Sequence, residues 1–222
     1  MTESTEGRPG NGSPHTVSDV MTHTVVAVGR DAPFKQIVKL LHQWKVSALP
    51  VLEGEGRVVG LVSEAELLPK EEFHDSDPDR FTQLSRLPDL AKAGALTAGE
   101  LMSTPVVTVH AEATVAQAAR IMAQRKVKRL PVVDDKGLLV GVVSRVDLLK
   151  VFLRTDEELA DEVRRQVVEP LFPARRNVVR VEVAEGVVTV TGRITDTSLV
   201  PVAARAVRAV EGVVDVEFRL VS

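Results

Sequence analysis

The chain has 222 residues, 44% of them hydrophobic and 27% charged, and carries a formal net charge of -3. That balance fits an ordinary globular protein of one to three domains, with no global attraction to nucleic acid. The absence of cysteine excludes disulfides, thiolate metal sites and thiol nucleophiles together.

The N-terminal stretch MTESTEGRPGNGSPHT is rich in Gly, Ser, Thr and Pro and lacks an apolar signal-like core. It predicts a disordered leader over residues 1–15, and the lack of a long uncharged apolar run further on predicts a cytoplasmic protein. From Val20 the chain repeats itself. Residues 20–68 and 101–149, offset by 81, share 19 identities in 49 ungapped positions, among them Met21/Met102, Gly60/Gly141 and the two LPV segments at 49 and 130. A repeat of this length is a duplicated small domain rather than a solenoid unit.

Each copy reads as strand, helix, strand, strand, helix. TVVAV and PVVTV are β-branched runs, and Asp31-Ala32-Pro33 and Glu112-Ala113-Thr114 open helices with apolar positions at Ile37, Leu40, Leu41 and Trp44, or Ala118, Ile121 and Met122. Trp44 is expected to pack on the apolar side of its helix. LPVL and LPVV pair with RVVGLVS and LLVGVVS across the Gly-containing turns EGEG and DDKG, and the last helix of each copy starts at Ser63 or Ser144. Between the copies, KEEFHDSDPDR predicts an acidic, turn-forming connector that names no chemistry.

These features resemble tandem CBS domains, the arrangement called a Bateman module, over roughly residues 16 to 153, with copies at 16–69 and 97–153 and a connector at 70–96. The resemblance implies regulatory binding of an adenosine-containing ligand, AMP, ADP, ATP or S-adenosylmethionine, in clefts between the repeats, and it implies no catalysis. It also implies a homodimer through the helices. The family pattern of Gly, two apolar residues, Ser or Thr, two spacers and Asp is matched by Gly141, Ser144 and Asp147. On that pattern the hydroxyl meets phosphate or ribose and the carboxylate accepts from ribose hydroxyls.

The same residues have a structural reading, because Ser-x-x-acid is a capping box that closes a helix N-terminus. Ser63 and Glu66 in the first copy fit that reading better, since Glu66 is one methylene longer than the family Asp. Arg125, Lys126, Lys128, Arg129 and Arg145 surround the second motif, where the first copy has Trp44, Lys45, Ser47, Ala48 and Glu64. The basic run is either a solvated helix face or a phosphate site. The expected second site is Thr104, Val106, Val107, Arg129, Leu130, Pro131, Ser144, Arg145 and Asp147. A weaker first site comprises Val25, Val26, Leu49, Pro50, Ser63 and Glu66.

Beyond residue 153 the pattern changes. Thr155-Asp156-Glu157-Glu158 is a capping box, followed by a helical stripe of Leu159, Val163 and Val167. NVVRVEVAEGVVTVTGRI is an alternating hairpin with Gly186 in its turn, Leu199 to Val210 a helix, and VVDVEFRL a strand with Val214, Val216, Phe218 and Leu220 inward. The α-β-β-α-β order, with Gly186, Gly192 and Gly212 at its turns, resembles the BON domain over 155–222. That resemblance implies binding of phospholipid or another hydrophobic partner.

The whole chain is thus expected to be an α/β (α+β) protein, two CBS-type β-α-β-β-α repeats and a small BON-like domain. The favoured function is a non-catalytic sensor with the BON domain as output or docking module. The competing function is a CBS dimer that has lost its ligand. An enzyme finds no nucleophile elbow, P-loop or metal cluster, the five His being scattered, so neither cofactor nor metal is expected. With aromatics at 3% and no Tyr, a base-stacking surface for single-stranded nucleic acid is missing.

Overall fold

The repeated LPV segments form the middle strands of two sheets built alike. In the first, Val28–Gly29 (β1), Ala48–Glu53 (β2) and Arg57–Ser63 (β3) lie in the order β1-β2-β3, β1 parallel to β2 and β3 antiparallel to it. In the second, Val109–His110 (β4), Arg129–Val133 (β5) and Leu139–Ser144 (β6) repeat that arrangement. The computed structural model describes residues 15–72, 87–173 and 178–221, and they fall into two compact units. Residues 21–113 and 117–144 make up one unit, with both of these sheets. The described residues 15–20, 114–116 and 145–221 make up the other.

TVVAV and PVVTV supply far less strand than their β-branched composition predicts. Only the last residue of each run enters the ladder, together with the residue after it, at Val28↔Val51 and Gly29↔Leu52, and at Val109↔Val132 and His110↔Val133. The cause lies in the middle strands. Pro50 and Pro131 have no N–H to donate, so a central strand tolerates them only where one edge is unpaired. The parallel ladder begins one residue after each proline.

Helices Phe34–Trp44 and Val115–Arg125 follow the first strand of each repeat. Ile37 and Leu41 are buried in a core with Leu49, Val51, Val62 and Leu101. Ala118 and Met122 are likewise buried, as their spacing predicts. Trp44 is not part of the core: at 53% exposure on the last helical residue it faces solvent, a correction to the expected packing. The next residue, Lys45, has φ 51, and its counterpart Lys126 has φ 55. Val46 N–H donates back to Leu41 O, and Val127 N–H to Met122 O, which closes each helix with a left-handed turn. The repeated Lys-Val pair is therefore a helix stop.

The connector also differs from expectation at both ends. Residues 70–72 continue the helix Glu64–Glu72 through Pro69, and Leu87–Gly94 is a helix. The intervening positions 73–86 lie outside the described residues, as do residues 1–14 of the expected leader. His15 is ordered into the second unit, where its backbone N–H donates to the Glu211 carboxylate and its ring Nδ1 lies 2.6 Å from the same oxygen.

In the second unit Val178–Ala184 (β7), Val187–Arg193 (β8) and Asp215–Val221 (β9) form a sheet with β8 in the middle, antiparallel to β7 and parallel to β9. The parallel pair requires a crossover, supplied by the helix Val200–Arg208. Thr155 and Glu158 form the expected capping box, and Leu159, Val163 and Val167 are all buried. Helix Asp156–Val163 continues through a π-turn over Arg164–Val168. Helix 145–153 is α-helical only over Arg145–Leu148 and tightens to 3₁₀ over Leu149–Leu153. Two sequence expectations change. Val214 precedes β9 and is exposed, and Gly192 sits inside β8 opposite Val179 rather than in a turn.

Candidate ligand-binding site

Each motif begins where a hairpin ends. β3 terminates at Ser63 and β6 at Ser144, and across the two hairpins Ala48 stands opposite Ser63 and Arg129 opposite Ser144. The Arg129 guanidinium donates to the Ser47 hydroxyl, so the second repeat's cation reaches the first repeat's strand entry. Ser47 also lines a hollow of about 330 Å³ with Leu41, His42, Lys45, Val46 and Glu64.

The lead-in to each first strand crosses to the other repeat. Thr22 N–H donates to Val142 O at 2.9 Å and Thr22 O accepts from Val142 N–H at 3.0 Å, while Ser103 and Leu61 make the related pair at 2.9 and 3.4 Å. This exchange regroups the expected site. Val25 and Val26 continue from Thr22, which is bonded to the strand that ends at Ser144. Thr104, Val106 and Val107 continue from Ser103, which is bonded to the strand that ends at Ser63. Sequence alone had grouped each lead-in with the motif of its own repeat.

The side chains of Leu49, Pro50, Leu130 and Pro131 are buried, so these residues offer a ligand only main-chain atoms. Thr104 is exposed, and Val25, Val26, Val106 and Val107 are half-buried. Arg145 is exposed at the start of its helix, and Asp147 pairs with Lys150 at 2.8 Å.

In the first repeat the carboxylate of Glu66 accepts from Ser63 N–H at 2.8 Å and from Ser63 Oγ at 2.5 Å. The reach back to the N-cap amide is the helix-capping geometry expected for this position. Two further partners were not legible in the motif. Ser103 Oγ donates to Glu66 at 2.7 Å, and Lys92 Nζ, from helix Leu87–Gly94, lies 3.4 Å from the same oxygen. Burial raises the Glu66 pKa, but the hydrogen bonds from Ser63 and Ser103 and the charge of Lys92 outweigh it and hold the carboxyl below 4.5. Lys92 belongs to the connector, which carried no motif, and Ser47 and Ser103 lie outside both Ser-x-x-acid patterns.

The family model of the CBS domain matches residues 17–70 and 98–154, and that of the BON domain matches residues 155–221. An uncharacterized protein of Methanocaldococcus jannaschii, MJ1426, is 30% identical over 159 residues, which cover 64% of this chain and 94% of that protein. The chloroplastic CBS domain-containing protein CBSX2 of Arabidopsis thaliana is 28% identical over 165 residues, covering 68% of each chain. A crystal structure of CBSX2 in complex with AMP is similar with a TM-score of 0.55, over 63% of this chain and 97% of that one.

Proposed function

Because the chain belongs to the CBS-domain family, as a CBS pair followed by a BON domain, we propose that it is a non-catalytic regulatory protein binding an adenosine-containing ligand. The second repeat carries the main site. The observation behind this reading is Arg129, which stands opposite Ser144 and reaches Ser47 of the other repeat. A guanidinium there offers a phosphate several donors in a planar fork, at an entry shared by both repeats. Asp147, three residues beyond Ser144 in sequence, supplies the acceptor for ribose hydroxyls. AMP is the first ligand to test, since CBSX2 was crystallised with it. ADP, ATP and S-adenosylmethionine share the adenosine chemistry.

A thermal-shift panel of these ligands tests the reading. Ligand at about 100 times its dissociation constant stabilises the native state by roughly 2.7 kcal/mol. No shift with any of the four would sink it.

The pair also carries an apolar face suited to a second copy. Val38 and Leu68 are exposed and line one hollow of about 310 Å³ with Leu41, His42 and Leu67. A homodimer through these helices covers them by two-fold pairing. The BON domain serves as output or docking module toward phospholipid or another hydrophobic partner.

A further inference from the structure

We propose that Glu66, Ser103 and Lys92 form a latch that closes the first repeat to ligand. Wild-type protein then takes one adenosine ligand per CBS pair, and gains a second when the latch is broken. The inference rests on the adenosine-binding reading above, and its test separates the two.

The argument is one of acceptor capacity. An ionised carboxylate offers about four lone-pair sites for hydrogen bonds. Glu66 receives four donors: Ser63 N–H, Ser63 Oγ, Ser103 Oγ and Lys92 Nζ. Little capacity remains for a ribose diol. The side chain is only 14% exposed, so these partners are exchanged for water or ligand with difficulty.

The donors come from three separate stretches of chain, which makes this more than a local helix cap. Ser63 is the motif's own residue. Ser103 arrives with the crossing lead-in that Leu61 holds by its backbone, at 2.9 Å from Ser103 N–H to Leu61 O. Lys92 arrives on the connector helix Leu87–Gly94, and Lys70 Nζ donates to Ala93 O at 2.8 Å to tie that helix to the end of Glu64–Glu72. The ammonium that a ligand phosphate could have used here is turned onto the carboxylate.

The two repeats differ in the length of this acid. Position 66 corresponds to 147 in the second repeat, where the acid is an Asp. The extra methylene of Glu66 lets one carboxylate meet the Ser63 amide on one oxygen and Ser103 and Lys92 on the other. Glu66→Asp withdraws the carboxylate by one methylene and is the mildest way to loosen these contacts.

Titration calorimetry of AMP into the full chain tests the proposal, with Glu66→Asp, Ser103→Ala and Lys92→Ala as three independent ways to open the latch. The expected result is one AMP per wild-type chain and two per chain in the variants. Asp147→Ala in the Glu66→Asp background should remove the wild-type event and leave the new one. Two sites in the wild type, or an unchanged number in all three variants, would overturn the latch. Binding to the variants but not to the wild type would uphold the latch and overturn the second-repeat site. No AMP bound by any of the proteins would overturn both.

Discussion

The thioether of Met102 stands where a side chain at residue 60 would have to go: a Cβ on Gly60 would lie 2.3 Å from Met102 Sδ and 2.9 Å from its Cβ. Met21 makes the related approach to Gly141, at 2.5 Å from its Sδ. The repeated Met and the repeated Gly are thus partners across the repeats. Gly60→Ala overpacks this contact and should cost on the order of 1 to 3 kcal/mol in denaturant unfolding. Adding Met102→Ala should recover part of that loss, and strict additivity of the two changes would contradict the contact.

Gly192 lies within β8 at φ 129, and a Cβ there would come within 1.9 Å of the Val178 carbonyl oxygen. Both backbone conformation and space exclude a side chain, and a carbonyl in a strand ladder cannot swing away as a methionine can. Gly192→Ala should therefore destabilise the C-terminal unit by about 3 kcal/mol. Loss of hydrogen-exchange protection over residues 178–221, against the wild type, checks it.

Arg129→Ala and Asp147→Ala should each weaken AMP binding. Loss of a hydrogen bond to a charged group typically costs about 1.5 to 3 kcal/mol, more than tenfold in affinity. Titration calorimetry reads this directly, and unchanged affinity in Asp147→Ala would overturn its role as the ribose acceptor.

The depressed pKa of Glu66 has a definite sign in stability. Because the folded carboxyl is more acidic than the unfolded one, its contribution is present above the unfolded value of 4.5 and is lost as pH falls through the folded pKa. Wild type should exceed Glu66→Gln in stability by a constant amount from about pH 6 upward, with the gap narrowing below about pH 4. Denaturant midpoints measured across that range decide it, and a gap independent of pH would contradict the charged latch.

Val38→Glu places a charge on the exposed apolar face shared with Leu68. It should convert a homodimer to monomer in light scattering of the full chain at micromolar concentration. Truncation near Arg154 is the poorer test, because Val151 is buried and Arg154 donates to Glu211 O at 2.9 Å within the C-terminal unit.

The duplication, the hairpins, the capping box at Thr155 and the buried stripe of Leu159, Val163 and Val167 were legible because each is a local pattern of period, turn residue or cap. Trp44 was misread for a related reason. Helical spacing places it on the apolar side, but the left-handed turn at Lys45 ends the helix there, and only the surrounding packing decides whether an end residue is covered. The first strands were over-read from their valines, since the parallel ladder begins only beyond Pro50 and Pro131.

The sequence by itself determined the two repeats, their element order and the identity of the acid at 66 and 147. Those depend on neighbours within a few residues. Only the tertiary structure decided that Thr22 bonds to Val142 and Ser103 to Leu61, and that Lys92 reaches Glu66. Backbone donors and acceptors of equal strength occur throughout the chain, and a lysine in a connector carries no mark of its partner. Packing the two sheets together selects which of these groups meet, and with them which acid is already satisfied.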